Sequence, residues 1–298
     1  MSADDPPNSG GYAEDTPRFG FFTDTSVCIG CKACEVACKE WNHIPEDGLD
    51  FTGMSYDNTQ GLSANTWRHV AFIEQRRPAA DPNARSDADA VDLGMPAFTK
   101  PGESGDGERS EFRWLMASDV CKHCTHSACL DVCPTGALFR TEFGTVVVQE
   151  DICNGCGYCI PACPYGVIDQ RKDDGRAWKC TMCYDRIGSG MEPACAQACP
   201  TDSIQFGELD ELRRRADDRL ATLHARGVSD AQLYGRDDGD GVGGTGAFFL
   251  LLDEPEVYGL PPDPEVTTKD LTVMWKHAGA AALTLLAGLA VTFLGKRR

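Results

Sequence analysis

The chain has 298 residues, 46 acidic side chains against 28 Lys and Arg, and a net charge of −18. That balance excludes nucleic-acid binding through phosphate, which needs clustered Lys and Arg, and reads as a solvated acidic surface. Length alone allows one or two domains. With 16 cysteines and only 8% aromatic residues, many buried contacts are expected to be to whatever the cysteines hold.

Residues 1–17 are rich in Asp, Pro, Gly and Ser, and are expected to form a flexible tail. They show no basic start, apolar segment or twin-arginine pair, so no signal peptide is expected; Arg18 stands alone. Phe19-Gly20-Phe21-Phe22 predicts a strand leading into the first cysteine run, Cys28-x2-Cys31-x2-Cys34-x3-Cys38. Lys39-Glu40-Trp41-Asn42 follows Cys38 where the other runs have proline, so the helix carrying Cys38 is expected to continue toward Trp41. Residues 78–110 are Pro-, Asp-, Gly- and Ser-rich and read as a polar insertion.

Two linked runs come next. They are Cys121-x2-Cys124-x4-Cys129-x3-Cys133-Pro134 and Cys153-x2-Cys156-x2-Cys159-x3-Cys163-Pro164. The second matches the spacing of bacterial ferredoxins, which binds [4Fe–4S] clusters. Three thiolates at two-residue gaps wrap three corners of one cube, and the fourth, a helical turn on, points to the other cube of a pair. Residues 111–163 are therefore expected to form a central ferredoxin-like unit. Cys180-x2-Cys183-x11-Cys195-x3-Cys199-Pro200 closes the series, and no cysteine is left over. Disulfides would need an oxidising compartment and usually a short secreted chain. Structural zinc would favour isolated C-x2-C pairs without the C-x3-C-P tail. Iron–sulfur is the reading that accounts for every cysteine, as four [4Fe–4S] clusters.

A turn and a short strand are predicted after Pro134, Pro164 and Pro200, and another strand over Thr145–Gln149. The fold class is therefore α+β: two fused ferredoxin-like units, each of the 2[4Fe–4S] kind, with a C-terminal membrane helix. Within the extension 208–270, apolar residues at Leu209, Leu212, Ala216, Leu220 and Leu223 predict a packing helix over 208–226, ended by Gly227. Gly239–Gly246 is a glycine-rich turn; no G-K-[ST] follows, so phosphate binding is not expected. Ala247–Leu252 predicts a strand.

Residues 278–295 carry no charge. As a helix they span about 27 Å, and with 271–275 added they reach across a bilayer, Trp275 suiting the headgroup region. A buried core helix is the alternative. Lys296-Arg297-Arg298 follow, and Asp253, Glu254, Glu256, Asp263, Glu265 and Asp270 precede. That asymmetry puts 296–298 in the cytoplasm and the cysteine domain outside it. Export would then rely on a signal-bearing partner. His277 could ligate a haem but reads better as an interfacial residue. Lys32, Lys122, His123 and Lys179 flank the cysteines; each is either a surface charge or, if it approaches the cube, a group that raises a cluster potential.

The four runs resemble the four-cluster iron–sulfur subunits of molybdopterin oxidoreductases, and within them the β subunits of membrane-bound formate dehydrogenases of the N/O type. The resemblance rests on Ser26-Val27-Cys28-Ile29-Gly30-Cys31-Lys32-Ala33-Cys34, Glu40-Trp41-Asn42, Cys121-Lys122-His123-Cys124, Gly241-Val242-Gly243-Gly244-Thr245, Tyr258-Gly259-Leu260-Pro261 and the single span. It covers the chain from about Val27. It implies an outer unit made of 18–77 and 164–207. It further implies four ligand sets: Cys28, Cys31, Cys34 and Cys199; Cys38, Cys180, Cys183 and Cys195; Cys121, Cys124, Cys129 and Cys163; and Cys133, Cys153, Cys156 and Cys159. The partners implied are a molybdenum or tungsten pterin subunit that oxidises formate and a haem b membrane subunit that reduces quinone. No catalytic residue is expected in this chain. Iron–sulfur subunits of a hydrogenase or of a nitrate, tetrathionate or polysulfide reductase share the cysteine groups. A colourless zinc-stabilised membrane-anchored assembly module and a free-standing polyferredoxin are the other readings.

Overall fold

Phe19–Asp24 forms strand β1 and runs through a 3-10 turn at Thr25–Val27 into helix α1, Ala33–Trp41. The computed structural model describes residues 17–47, 57, 59–78, 110–268 and 271–294. The tail before Pro17, residues 79–109 of the polar insertion and the basic end 296–298 lie outside the described residues. After α1 come β2 (Arg68–Pro78), β3 (Ser110–Val120), α2 (Ala128–Asp131), β4 (Leu138–Arg140), β5 (Val146–Val148) and α3 (Cys159–Ala162). Then follow β6 (Asp169–Gln170), β7 (Ala177–Trp178), α4 (Tyr184–Gly188), α5 (Ala194–Gln197), β8 (Ile204–Glu208), α6 (Leu209–Ala225), β9 (Gln232–Tyr234), β10 (Ala247–Leu251) and α7 (Leu271–Leu294).

Among the described residues the largest sheet has four strands in the order β8-β1-β10-β9, with β1 parallel to β10 and antiparallel to β8. Successive side chains of a strand face opposite ways, and here both faces are covered. Phe22, Phe248 and Leu250 pack against Leu209, Leu212, Ala216 and Leu223 of α6. Phe21, Phe249 and Leu251 face the other way, into a core that contains Cys34, Cys38, Cys180 and Cys195. That is why all five residues of β10 are apolar and buried. Helix α6 is thus the packing helix its pattern predicts, and Gly227 after it takes φ +85°. Arg219 of α6 also holds Asp24 at the end of β1 (Nε to Oδ2, 2.8 Å).

A second feature does not emerge from the sequence reading: an eleven-residue antiparallel hairpin, β2 with β3, in register from Arg68↔Val120 to Pro78↔Ser110. It flanks the polar insertion and delivers the chain straight into Cys121. Helix α1 does continue to Trp41, whose Nε1 donates to Asp185 Oδ2 at 2.9 Å. The strands after the cysteine runs are short: β4, β6 and β8 have three, two and five residues. The glycine-rich turn packs on the Cys124 loop, where Thr125 N donates to Gly244 O (3.0 Å) and His126 N to Val242 O (2.8 Å). A Cβ on Gly243, at φ +72°, would sit 2.3 Å from His126 Cδ2; close backbone approach is the reason for glycine there.

Helix α7 has 24 residues, about 36 Å of rise against a hydrocarbon core of about 30 Å. Nothing in its stretch Val273–Phe293 is buried against the rest of the chain. A core helix of that composition would be covered, so the buried-helix alternative fails.

Candidate metal-cluster sites

All sixteen cysteines are free thiols, and the fold gathers them in fours. Cys28, Cys31, Cys34 and Cys199 line a cavity of about 290 Å³ walled by Val70, Ser118 and Ile204. Cys121, Cys124, Cys129 and Cys163 line one of about 370 Å³, with Val146, Val167 and Lys179 around it. Cys133, Cys153, Cys156 and Cys159 line a third, of about 300 Å³, against Leu138, Val148 and Ala177. Cys38, Cys180, Cys183 and Cys195 are all buried together. There Asn42 Nδ2 donates to both Cys38 Sγ (3.7 Å) and Cys183 Sγ (3.8 Å). We call these, in turn, sets A, C, D and B.

Local backbone shape aims the thiols. In the 153–159 loop Gly155 takes φ +71°, and a Cβ there would meet Gly175 O at 2.4 Å; the loop curls because only glycine fits. Helix α1 carries Cys34 toward set A and Cys38, one turn on, toward set B. The segment at α5 returns the relation, with Cys195 in B and Cys199 in A. The segments at α2 and α3 do the same for C and D through Cys129, Cys133, Cys159 and Cys163. Residues at this spacing have Cβ atoms about 5–6 Å apart, so paired sets are close neighbours. Sets B and C meet at Lys179: its Nζ lies 3.6 Å from Cys121 Sγ and donates to Cys180 O (3.0 Å) and Val146 O. The neighbour order is therefore A, B, C, D. The ends reach the surface, with Cys31 in A and Cys156 in D exposed beside exposed Ile29, Val36, Ile152 and Tyr158.

The charged residues beside the cysteines play unequal parts. Burial would lower the pKa of Lys179, but the thiols of Cys121, Cys129 and Cys180 hold it above its ordinary value, so its charge persists in the interior. Lys122 is buried, but its ammonium is paired with Asp119 and lies 4.9 Å from the Phe249 ring centroid. Lys32 is paired with Glu35 (3.2 Å) and Asp57 (3.4 Å). His123 cannot act as a cation. Burial and the nearby Lys179, Arg140, Arg18 and Arg68 push its pKa well below the usual imidazole range. Its Nδ1 accepts from Val146 N at 3.0 Å, so the ring proton sits on Nε2. That atom is buried, has no partner among the described residues and belongs to a ring lining the set C cavity. Arg68 and Arg140 are buried cations that the sequence reading passes over, because neither lies in a cysteine run. Arg140 Nη2 holds the Cys124 loop through Cys124 O (3.0 Å) and Thr125 O (2.7 Å).

This donor chemistry fits iron–sulfur cubes. Sets A, C and D each offer four thiols around a volume and set B four buried thiols, and sets A and C present buried hydrogen donors. Ser118 Oγ lies 3.2 Å from Cys34 Sγ and His123 carries an unused N–H. Among the described residues no three His, Cys, Asp or Glu side chains converge on a point that would hold a single metal ion.

Two family models, each described as a 4Fe–4S dicluster domain, match residues 27–137 and 112–209. The nitrate-inducible formate dehydrogenase iron–sulfur subunit of Escherichia coli is 38% identical over 91% of this chain and 81% of its own length. The chain belongs to the formate dehydrogenase iron–sulfur subunit family. The formate dehydrogenase-O iron–sulfur subunit of the same organism is 37% identical over 91% of this chain and 78% of its own. A subunit of the anaerobic dimethyl sulfoxide reductase of Escherichia coli is 32% identical over 69% of this chain and 81% of its own length. The formate dehydrogenase likeness thus reaches over a larger part of the sequence.

As an iron–sulfur subunit the chain serves electron transfer, and its thiols must be ionised to bind metal. Several of the buried ones resist this in the metal-free fold. Burial and neighbouring thiols push Cys34, Cys183 and Cys159 up to about 11 and Cys129 to about 12. Cluster binding removes these protons, so it is favoured as pH rises toward those values and opposed as pH falls. Anaerobic loading of the metal-free chain with iron and sulfide is expected to be severalfold faster at pH 9 than at pH 7. Loading indifferent to pH over that range would show that deprotonation does not limit assembly.

Proposed function

We propose that this chain is the electron wire of a membrane-bound, formate-oxidising complex. Cys28, Cys31, Cys34 and Cys199 hold one [4Fe–4S] cluster, and Cys38, Cys180, Cys183 and Cys195 a second. Cys121, Cys124, Cys129 and Cys163 hold the third, and Cys133, Cys153, Cys156 and Cys159 the fourth. Each cluster, when bound, passes one electron at a time. The protein's part is to keep the sets at contact spacing, to exclude water from B and C, and to direct hydrogen bonds at sulfur. The outer unit is 18–77 with 164–207 and the central one 111–163. The observation that carries this reading is the unbroken neighbour order of the four cysteine sets, exposed only at its two ends.

The donor is a molybdenum- or tungsten-pterin subunit at one exposed end, and the acceptor a haem b membrane subunit, and through it quinone, at the other. Helix α7 holds the chain in the cytoplasmic membrane with 296–298 inside and the cysteine domain outside, exported with a signal-bearing partner. The family likeness over 91% of the chain favours formate over the dimethyl sulfoxide reductase alternative. In the native complex, purified anaerobically through this subunit, formate is expected to bleach the visible absorbance within seconds. It should also develop reduced [4Fe–4S] EPR signals that dithionite increases only slightly. Reduction by dithionite but not formate would retain the wire and remove formate as its source.

A further inference from the structure

Arg68 opens β2 opposite Val120, is 2% exposed and has no carboxylate partner among the described residues. It sits between residues of two sets: Ser118, which touches Cys34 of set A, and Phe21, which belongs to the core that holds Cys38, Cys180 and Cys195 of set B. Nη1 donates to Ser118 O (3.2 Å) and to Ser118 Oγ (3.1 Å), and Ser118 Oγ lies 3.2 Å from Cys34 Sγ of set A. A guanidinium only donates. Ser118 Oγ must therefore accept from Arg68, which leaves its own hydrogen for the Cys34 sulfur. The remaining Nε and Nη2 are buried without any hydrogen-bond partner among the described residues. The Phe21 ring closes one side, 4.9 Å from Cζ to the ring centroid. Burial would lower the pKa of Arg68, yet Cys195, Cys34, Cys180 and Cys38 hold it above its ordinary value; three of these belong to set B.

A buried cation without a counter-ion is costly, and two unused N–H groups on it more so. The fold keeps all of this at the seam between A and B, at the base of a hairpin whose register places Arg68 and Ser118 two residues apart across the ladder. We propose that Arg68 is a positioning residue for electron transfer between sets A and B. It fixes the Ser118 hydrogen bond on Cys34 and directs its free Nε–H and Nη2–H at the sulfur-rich faces of the two sites. This rests on the reading of the sets as cluster sites. Hydrogen bonds to sulfur and fixed positive charge both favour the reduced cluster. Arg68 therefore raises the potentials of A and B together, and Ser118 that of A alone.

The test is a potentiometric EPR titration of the native complex, with signals assigned through Cys31→Ser for A and Cys183→Ser for B. Iron and sulfide are counted first. A wild-type complex short of four clusters would fail the cluster reading rather than this inference. With four present, Arg68→Gln is expected to shift A and B to lower potential by at least tenfold in the reduction equilibrium. That is about 59 mV for a one-electron couple, with C and D unmoved. Ser118→Ala should lower A only. Arg68→Lys keeps the charge without the planar fork and should recover part of the shift. Fully loaded Arg68→Gln with A and B unmoved, or with all four sets moving alike, overturns the proposal. Should Arg68→Gln lose iron, the other two variants decide: wild-type potentials in both overturn it equally.

Discussion

Replacing Cys156 with serine is expected to stop electrons from formate reaching quinone while the catalytic partner still turns over with an artificial acceptor. Cys156 sits in the Gly155–Gly157 loop at the exposed end of set D, its N–H held by Asn154 Oδ1 at 3.2 Å. Serine fits the space, so the fold is spared, but its hydroxyl is a hard, weakly acidic donor where soft iron–sulfide chemistry needs thiolate. On the proposed reading, a damaged cluster D opens a gap at the end of a single file of sites. The loss should exceed the roughly 10–100-fold that second-shell changes cause at metal sites. Iron should fall by about four atoms per chain, while sets A and B keep their EPR signals. The measurement is the ratio of quinone to artificial-acceptor activity in the purified complex. Quinone reduction at the full rate would sink the wire model.

The second large effect concerns α7. Ending the chain after Asp270 is expected to convert it from a membrane protein to a water-soluble one without touching its clusters. No side chain of Val273–Phe293 is buried against the cysteine domain, so the truncation removes nothing from either core. What it removes is the whole of α7, 24 residues, whose stretch Val273–Phe293 is apolar and long enough to span lipid. Expressed without its partners, the full chain should pellet with membranes and resist a high-salt wash. The truncated chain should appear in the soluble fraction, brown, with about 16 iron atoms. Conversely, placing Arg at Leu286, in mid-span, costs about 2.5–3.5 kcal/mol of insertion and should shift much of the protein out of the membrane. A truncated chain that still pellets and resists the salt wash would mean that another surface binds the membrane.

Much of this molecule is legible in its sequence because iron–sulfur binding constrains spacing so tightly. The Cys28, Cys121, Cys153 and Cys180 runs announce cubes, and the proline after three of them marks where each helix must stop. The missing proline after Cys38 foretells the extra turn to Trp41, which is in α1. The α6 helix and the α7 span follow from periodicity and composition, which are local. The β2–β3 hairpin was not legible. Its outer ends carry Glu74, Arg76, Arg77, Glu111 and Arg113, which blur the alternation, and its partner strands are separated by a long polar stretch.

The roles of the flanking charges were not legible either. Lys32, Lys122, His123 and Lys179 look alike beside their cysteines. In the fold Lys32 and Lys122 are neutralised by carboxylates, His123 is kept uncharged by burial and the cations around it, and Lys179 alone of the four meets a cysteine sulfur, that of Cys121, as a cation. Arg68 shows the limit most clearly. It lies more than 25 residues from any cysteine on either side, and only pairing with Val120 brings it to the seam between two sets. By itself the sequence determined the number of cysteine groups, the class of metal centre they suit and the presence of an apolar span, because each depends on neighbours along the chain. The tertiary structure alone decided in what order the cysteine sets adjoin and which cation stands between two of them. Those depend on contacts between segments far apart in the chain, where charge is felt through a low dielectric.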